Sequence, residues 1–396
     1  MASGPSRGPR ILSETAHCQW FDLIRRVAYD RPDTRPERLM NPSLSRRKAL
    51  AIVAAALVCG TAYAGTQKKD DKKQQEAQQR EAQALAKAVD AAVAGQPAPS
   101  DVPVQFQNDF LKAQDGMIYI PFTLTVDAAK LPAQSVALYI RAMSRGGAAA
   151  APPAEEKKKD DKKKDKDASQ YPFEGLHLVD LKAQAGEPVR LSRALLLPGG
   201  DYDLYLALKE RAPGESKDAK NAPPQKMTVL KQPITVPNFW NGELSTSSVI
   251  IADKAEPLSA ALTPEQQTER PYALGSFEIT PAADTRFGKK EELLIFLQIY
   301  NTGMTPEGKP NLEVEYNFYT KTSDAEKFFN KTPMQPLNAE KLPPGFDVKA
   351  GHQIMAAQGI PLEGFPEGDY RVEIKISDKI SGKSISRSAA FTVVGS

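Results

Sequence analysis

The chain has 396 residues, long enough for two domains of ordinary size plus tails, and a formal net charge of +3 from 52 basic and 49 acidic residues. So even a balance creates no long-range field, which removes electrostatic support for a nucleic-acid partner. The 32 prolines outnumber the 25 glycines, and strand-like runs are punctuated by turn residues, a texture that predicts an all-β protein.

Residues 1–39 are polar, rich in Arg and Pro, and carry no periodicity. Met40 then opens "MNPSLSRRKALAIVAAALVCGTAYAG", which has the three parts of an export signal. Arg46, Arg47 and Lys48 are the basic region, and Ala49 to Val58 the apolar run. The small residues Ala62 and Ala64 predict cleavage before Gly65. The run is shorter than the roughly 20 apolar residues of a membrane span. Translation is therefore expected to begin at Met40, with 1–39 a mis-called or disordered extension, 40–64 a signal peptide and the product exported. The cysteines, Cys18 and Cys59, both fall in or before that signal. The processed chain would have no disulfide, thiolate metal site or cysteine nucleophile.

Residues 65–100 begin with Gln, Ala, Lys and Glu, which favour helix. Leu85, Val89 and Val93 recur four residues apart as a thin apolar stripe, and Gly95 and Pro97 end it. Three apolar positions are too few for sustained heptads, so the segment reads as a charged, solvated helical stalk.

Period-two alternation then sets in at "MIYIPFTLTVD" (117–127) and "SVALYIRAM" (135–143), marking half-buried strands. The Lys- and Asp-rich stretch 146–170 has no branched or aromatic side chain to offset its chain entropy and reads as a disordered loop. Strands resume at 175–183, 187–197, 201–210 and 226–236, closing a first β-sandwich over 101–237. "PNFWNGE" (237–243) reads as a hinge whose Phe239 and Trp240 fill an interdomain seam. Seven further strands between 247 and 394 predict a second sandwich over 238–396.

One motif occurs in both halves. "LPGGDYDLYLALKE" (197–210) and "FPEGDYRVEIKISD" (365–378) each place Pro-x-Gly-Asp-Tyr before an alternating strand. Pro198 and Pro366 pin the incoming chain, and Gly200 and Gly368 permit a tight corner. Tyr202 and Tyr370 stand where immunoglobulin-like sandwiches use a tyrosine corner, the hydroxyl bonding back to the preceding loop. The nearby Asp201, Asp203 and Asp369 read as turn residues, since no calcium-loop spacing surrounds them. The predicted fold is thus two tandem immunoglobulin-like antiparallel β-sandwiches after a signal peptide and a short helical stalk.

Three stretches carry a family resemblance: "GELSTSSVIIADKAEPL" (242–258), "SFEITPAADTRFGKKEELLIFLQIYN" (276–301) and "GIPLEGFPEGDYRVEIKISD" (359–378). Over roughly 100–394 the chain resembles the tandem sandwich region at the C-terminal end of secreted acidobacterial proteins bearing a von Willebrand factor type A-related or GWxTD-type module. The type A metal signature Asp-x-Ser-x-Ser and the Gly-Trp-x-Thr-Asp motif are both absent here, so the resemblance transfers no functional residue.

Chemistry is otherwise sparse in the sequence. His177 and His352 lie in strand patterns rather than in a ligand cluster. "STSS" (245–248) and Glu291–Glu292 are not embedded in a catalytic motif. The expectation is a non-enzymatic exported binding or scaffolding protein of the bacterial envelope. It needs no cofactor, its partner is a protein or envelope polymer, and no transmembrane segment remains after signal cleavage. One alternative is a carbohydrate-binding sandwich presenting Tyr300, Tyr316, Phe318 and Tyr319. The other is an envelope enzyme with an unrecognised site, which a concave pocket gathering acidic residues from both units would support.

Overall fold

Alternation of large apolar residues with smaller or polar ones builds most of this chain into strands, and the strands pair into four sheets. The computed structural model describes residues 63–395 except 132–134, 147–170, 182–187, 212–224, 261, 276, 323–324, 343–344 and 349–350, with side chains from residue 78 onward apart from 264–265. The extension 1–39, the signal as far as Ala62 and the charged loop at 147–170 therefore lie outside the described residues.

The first unit contains β1 (Val104–Asn108), β2 (Leu111–Lys112), β3 (Met117–Val126) and β4 (Ser135–Ser144). It continues with β5 (Phe173–Asp180), β6 (Val189–Pro198), β7 (Gly200–Glu210) and β8 (Met227–Val236). In one sheet β3 lies between β6 and the β1/β2 pair; in the other the order is β5-β4-β7-β8. Ile118, Ile120, Phe122 and Leu124 of the first sheet share one core with Leu138, Ile140, Leu204 and Leu206 of the second.

The second unit starts with β9 (Ser245–Thr246), β10 (Ile250–Pro257), a short helix (Pro264–Glu269), β11 (Ala273–Leu274) and β12 (Phe277–Pro281). Then come β13 (Arg286–Gly288), β14 (Glu292–Tyr300), β15 (Leu312–Lys321), β16 (Glu326–Lys331) and β17 (Gln335–Leu337). The last three are β18 (Ile354–Pro361), β19 (Gly368–Asp378) and β20 (Ser384–Val394). One sheet runs β11-β12-β10-β14-β18 with β9 also on β14; the other runs β13-β20-β19-β15-β16 with β17 also on β15. All pairings are antiparallel except the short β13–β20 contact, which is parallel. Leu293, Ile295 and Leu297 face Val314, Tyr316, Val372 and Ile374 across the second core. The fold is all-β, with the sheets of each unit packed about a shared core.

The helix corrects a sequence expectation. Helix α1 (Tyr63–Val93) forms, but its C-terminal half is not a solvated stalk. Leu85 and Val89 are fully buried against Ala137 and Tyr139 of β4, Tyr205 and Ala207 of β7, and Val229 of β8. Ion pairs flank this patch: Asp90 with Arg141 at 2.5 Å and Glu81 with Arg211 at 3.2 Å. Arg141 is buried, stacks over Tyr171 at 4.2 Å and donates from Nε to the Tyr139 hydroxyl at 2.9 Å. The physical reason is the outer face of β4 and β7, which carries Ala, Tyr and Ala where a solvated sheet would carry polar residues. We expect Leu85→Asp to release α1, seen as loss of amide protection over residues 80–92 while β4 and β7 keep theirs. Unchanged protection in α1 would show that the docking contributes nothing.

Candidate functional site

The echoed corners have matching geometry. The Tyr202 hydroxyl donates to the Pro198 carbonyl at 3.1 Å, and the Tyr370 hydroxyl donates to the Pro366 carbonyl at 2.7 Å. Both rings are buried, and burial raises both hydroxyl pKa values. Gly200 and Gly368 take φ of 152° and 144°, positive values that a side chain disfavours. The acids beside them are engaged in the fold: Asp201 accepts from Thr235 at 2.6 Å and Asp369 from Thr392 at 2.7 Å, each across to the next strand. Asp203 pairs with Lys231 at 2.8 Å. Of the cleavage residues, Ala64 and Gly65 fall within α1 and Ala62 lies outside the described residues. Tyr370→Phe and Tyr202→Phe are each expected to cost about 1 kcal/mol through one lost hydrogen bond. Denaturant unfolding measures this, and a Tyr370→Phe protein as stable as the parent would remove the corner's role.

The remaining candidates separate in space. His352 Nδ1 accepts the Asp347 amide at 2.9 Å, a loop-closing bond. Ser247 Oγ accepts the Gln298 amide at 2.9 Å, and Ser248 Oγ accepts the Phe110 amide at 2.9 Å, so the "STSS" hydroxyls hold backbone. Glu291 caps the β13 turn by accepting the Gly288 amide at 2.6 Å. The four proposed sugar-stacking rings form no platform. Tyr316 and Phe318 point into the second core as the strand period dictates, and Tyr300 is buried between the units. Tyr319 is half-buried beneath Arg371, 4.5 Å from its ring centre. The carbohydrate reading thus loses the residues that suggested it. Among the described residues, no three His, Cys, Asp or Glu side chains group as a metal site, and no helix is long and apolar enough to cross a membrane.

The feature the sequence did not reveal is the seam between the units. Residues 237–243, read as a hinge, are pinned. Phe239 packs on Tyr300 with ring centres 5.0 Å apart, and Asn301 Nδ2 donates to the carbonyls of Phe239 and Glu243 at 3.0 and 2.8 Å. Trp240 is 44% exposed, yet its Nε1 donates to the Met117 carbonyl at 3.2 Å. The Tyr300 hydroxyl accepts the Lys112 amide at 3.0 Å and donates to Gln298 Oε1 at 2.9 Å. Further along, the Tyr119 hydroxyl donates to the Pro271 carbonyl at 3.0 Å, and the Tyr272 hydroxyl to Asp109 at 3.0 Å. Leu111 of the first unit joins a small core whose other buried members come from the second, among them Ile250, Leu274, Ile279 and Phe296, and Tyr119 of the first unit packs against it.

A cleft of about 490 Å³ opens along this seam. Lys112, Gln114, Asp115 and Leu196 line it from the first unit, and Gln298 and Gln353 from the second. Its rim is the β2–β3 hairpin, where Asp115 and Gly116 take φ of 53° and 77°, the left-handed pair of a tight two-residue turn. That Asp-Gly dipeptide was the available sequence signal. The Lys112 ammonium donates to Asn301 Oδ1 at 2.8 Å and sits 4.3 Å over the Trp240 ring; burial lowers its pKa. With amides, one carboxylate and one committed ammonium, the cleft suits hydrogen-bonded binding and assembles no acid–base pair.

Beside it, burial pushes the half-buried Asp109 carboxyl up from 3.8 to about 6, against the hydrogen bonds from Tyr272 and Ser248. A carboxyl raised in the fold favours the protonated native state. Its stabilising effect is complete below pH 4 and is lost as pH rises through 6. The stability difference between the parent and Asp109→Asn should therefore move against the parent by roughly 2 kcal/mol from pH 4 to pH 7. Paired urea titrations at the two pH values measure it, and a pH-independent difference would place Asp109 in solvent.

No family model matches the chain, and no curated protein matches it. Among solved structures, it is similar to a DUF4785 family protein from Legionella pneumophila at 9% identity and a TM-score of 0.21, covering 74% of this chain and 57% of that one. It is also similar to Salmonella alpha-2-macroglobulin reacted with methylamine, at 10% identity and a TM-score of 0.18, covering 75% of this chain and 17% of that one. The chain thus spans less than two thirds of either, and similarity at these scores carries no argument about what it does.

Proposed function

We propose that this is an exported, non-enzymatic binding or scaffolding protein of the bacterial envelope, made of two immunoglobulin-like sandwiches, whose partner docks on the interunit cleft. The observation that carries the reading is the seam. Hydrogen bonds from Tyr119, Tyr272 and Tyr300 and a shared apolar cluster hold the two units side by side, and the cleft runs where they meet. A protein that presents a surface to a partner gains from such a fixed arrangement, because less is lost in ordering on binding. The cleft supplies amide donors and acceptors beside Leu196, which is 44% exposed, a mixture suited to a polypeptide or a polar polymer. The export signal supports the compartment, and cleavage before Gly65 would leave every described side-chain contact of α1 in place.

Fractionation of cells expressing the full chain, with N-terminal sequencing of the product, tests the compartment: the expected mature end is Gly65. Crosslinking in envelope extract tests the cleft. Leu196→Glu together with Gln353→Lys should reduce partner recovery at least about tenfold, the effect of 1.4 kcal/mol in binding, without changing the unfolding midpoint. Recovery equal to the parent's would remove the cleft from the proposal, and retention of the chain in the cytoplasm would remove the export.

A further inference from the structure

Strand β20 is only partly covered along its outer margin. Its C-terminal end pairs with β13 over Thr392–Val394, whereas Ser384–Phe391 pairs on the β19 side alone among the described residues. Hydrogen bonds fix which groups face outward. The Thr392 amide donates to the Thr285 carbonyl on the β13 side, and the Lys383 carbonyl accepts the Asp378 amide on the β19 side. By the strand period, the amides and carbonyls of Ser384, Ser386, Ser388 and Ala390 therefore point away from β19. These four residues are exposed, and among the described residues only the Ser386 carbonyl is engaged, by Arg387 Nη1 at 3.1 Å.

Other sheet margins of the molecule are closed. On β18 the outward carbonyls of Ala357 and Gly359 accept from the Gln335 and Gln358 side chains at 3.3 and 2.9 Å, and Pro361 has no amide to offer. On β8 the Val229 amide donates to the Pro99 carbonyl, and Pro233 likewise lacks an N–H. The segment Ser384–Phe391 has no proline, no lysine and an unbroken register. The one guarding device it carries is Arg387, on the inner face between Ile385 and Ala389. All three are half-buried, while the β19 residues they pair with, Ile376, Ile374 and Val372, are fully buried. Arg387 reaches across the mouth of the sandwich, where its Nε donates to Thr246 Oγ1 of β9 at 2.9 Å. It has no carboxylate partner among the described residues, and Glu243, three residues before Thr246, is paired with Lys383 at 2.8 Å.

We infer that Ser384–Ala390 is a docking edge for an extended segment of a partner polypeptide, added as a further strand with an acidic side chain opposite Arg387 and apolar ones opposite Ile385 and Ala389. A row of alternating N–H and C=O groups is matched by another polypeptide backbone in extended form. The charge then selects among such backbones. A guanidinium keeps its charge at any pH at which the chain is folded, and facing side chains of adjacent strands lie roughly 5 Å apart, so a carboxylate there is attracted and an ammonium repelled. The same charge opposes a second copy of this chain. The register that pairs all of Ser384–Ala390 with itself is centred on Arg387 and sets the two guanidinium groups face to face. The edge shares no residue with the interunit cleft and stands independently of it.

The probe is a synthetic heptapeptide, Thr-Val-Thr-Glu-Thr-Val-Thr, added to the full chain at pH 7, with a Lys-centred version as control. The readout is amide hydrogen exchange by NMR. In the chain alone the amides of Ser384, Ser386, Ser388 and Ala390 should exchange rapidly, while those of Ile385, Arg387 and Ala389 are protected. The Glu peptide should protect the outward amides saturably, and the Lys peptide should bind at least about tenfold more weakly. Arg387→Glu should reverse that preference. Ser388→Pro removes an outward N–H that bonds nothing in the fold, and should abolish protection by the Glu peptide while the β19-facing amides stay protected. Equal binding of the two peptides, no protection by either, or protection surviving in Ser388→Pro would overturn the assignment. So would outward amides already protected in the chain alone: protection that fades on dilution would mean that a second copy occupies the edge, and protection that persists would mean that the chain itself does. If Ser388→Pro does not fold, the Glu and Lys peptides compared on the parent and on Arg387→Glu decide.

Discussion

Burial of the Tyr300 ring against Phe239, with its hydroxyl shared between the Lys112 amide and Gln298, fixes how the two units meet. An enclosed phenol that far from water needs partners for both its donor and its acceptor, and it takes one from each unit. The consequences spread outward. Asn301, next in sequence, ties down the Phe239–Glu243 connection, and Lys112 is drawn under Trp240. The β2–β3 hairpin that carries Lys112 then becomes the wall of the interunit cleft. The local chemistry of one side chain thereby positions the surface to which a binding role is assigned.

Much of the fold could be read from period. Tyr202, Leu204, Leu206 and Leu208 lie on one face of β7, and Tyr370, Val372, Ile374 and Ile376 on one face of β19, because strand geometry leaves no other choice. The Asp-Tyr corners repeat because the local architecture repeats, down to the threonine each aspartate meets on the following strand. The short strands β13, β16 and β17 were not legible, since three to six residues at a sheet margin carry too little alternation to stand out. The docking of α1 was missed for a different reason. In "SVALYIRAM" the residues Ala137 and Tyr139 fall on the face opposite the core, and a face that is apolar there is covered by something. The near-continuous apolar run held that information, whereas the thin stripe on the helix, viewed alone, did not.

The seam was the least legible part, because its partners are far apart in sequence and individually ordinary. Tyr300 ends a strand, Lys112 sits in a two-residue strand, and Asp109 lies in the two-residue connection between β1 and β2. Nothing local announces that they meet. Arg193 is the opposite case. An arginine between Leu191 and Leu195 on the inward phase of a strand is a visible conflict between local pattern and core, and such conflicts gather where a fold gives up stability for another purpose. Arg193 is thus a local conflict within one strand, whereas the seam is assembled from residues that conflict with nothing around them.

A cleft fixed in place at the seam requires the two units to behave as one cooperative body joined at Tyr300. Differential scanning calorimetry of the chain from Gly65 to Ser396 tests this directly. A single unfolding transition is expected, with calorimetric and van't Hoff enthalpies that agree, splitting into two when Tyr300 is replaced by alanine. Two resolved transitions in the parent protein would show that the sandwiches unfold independently and would contradict it.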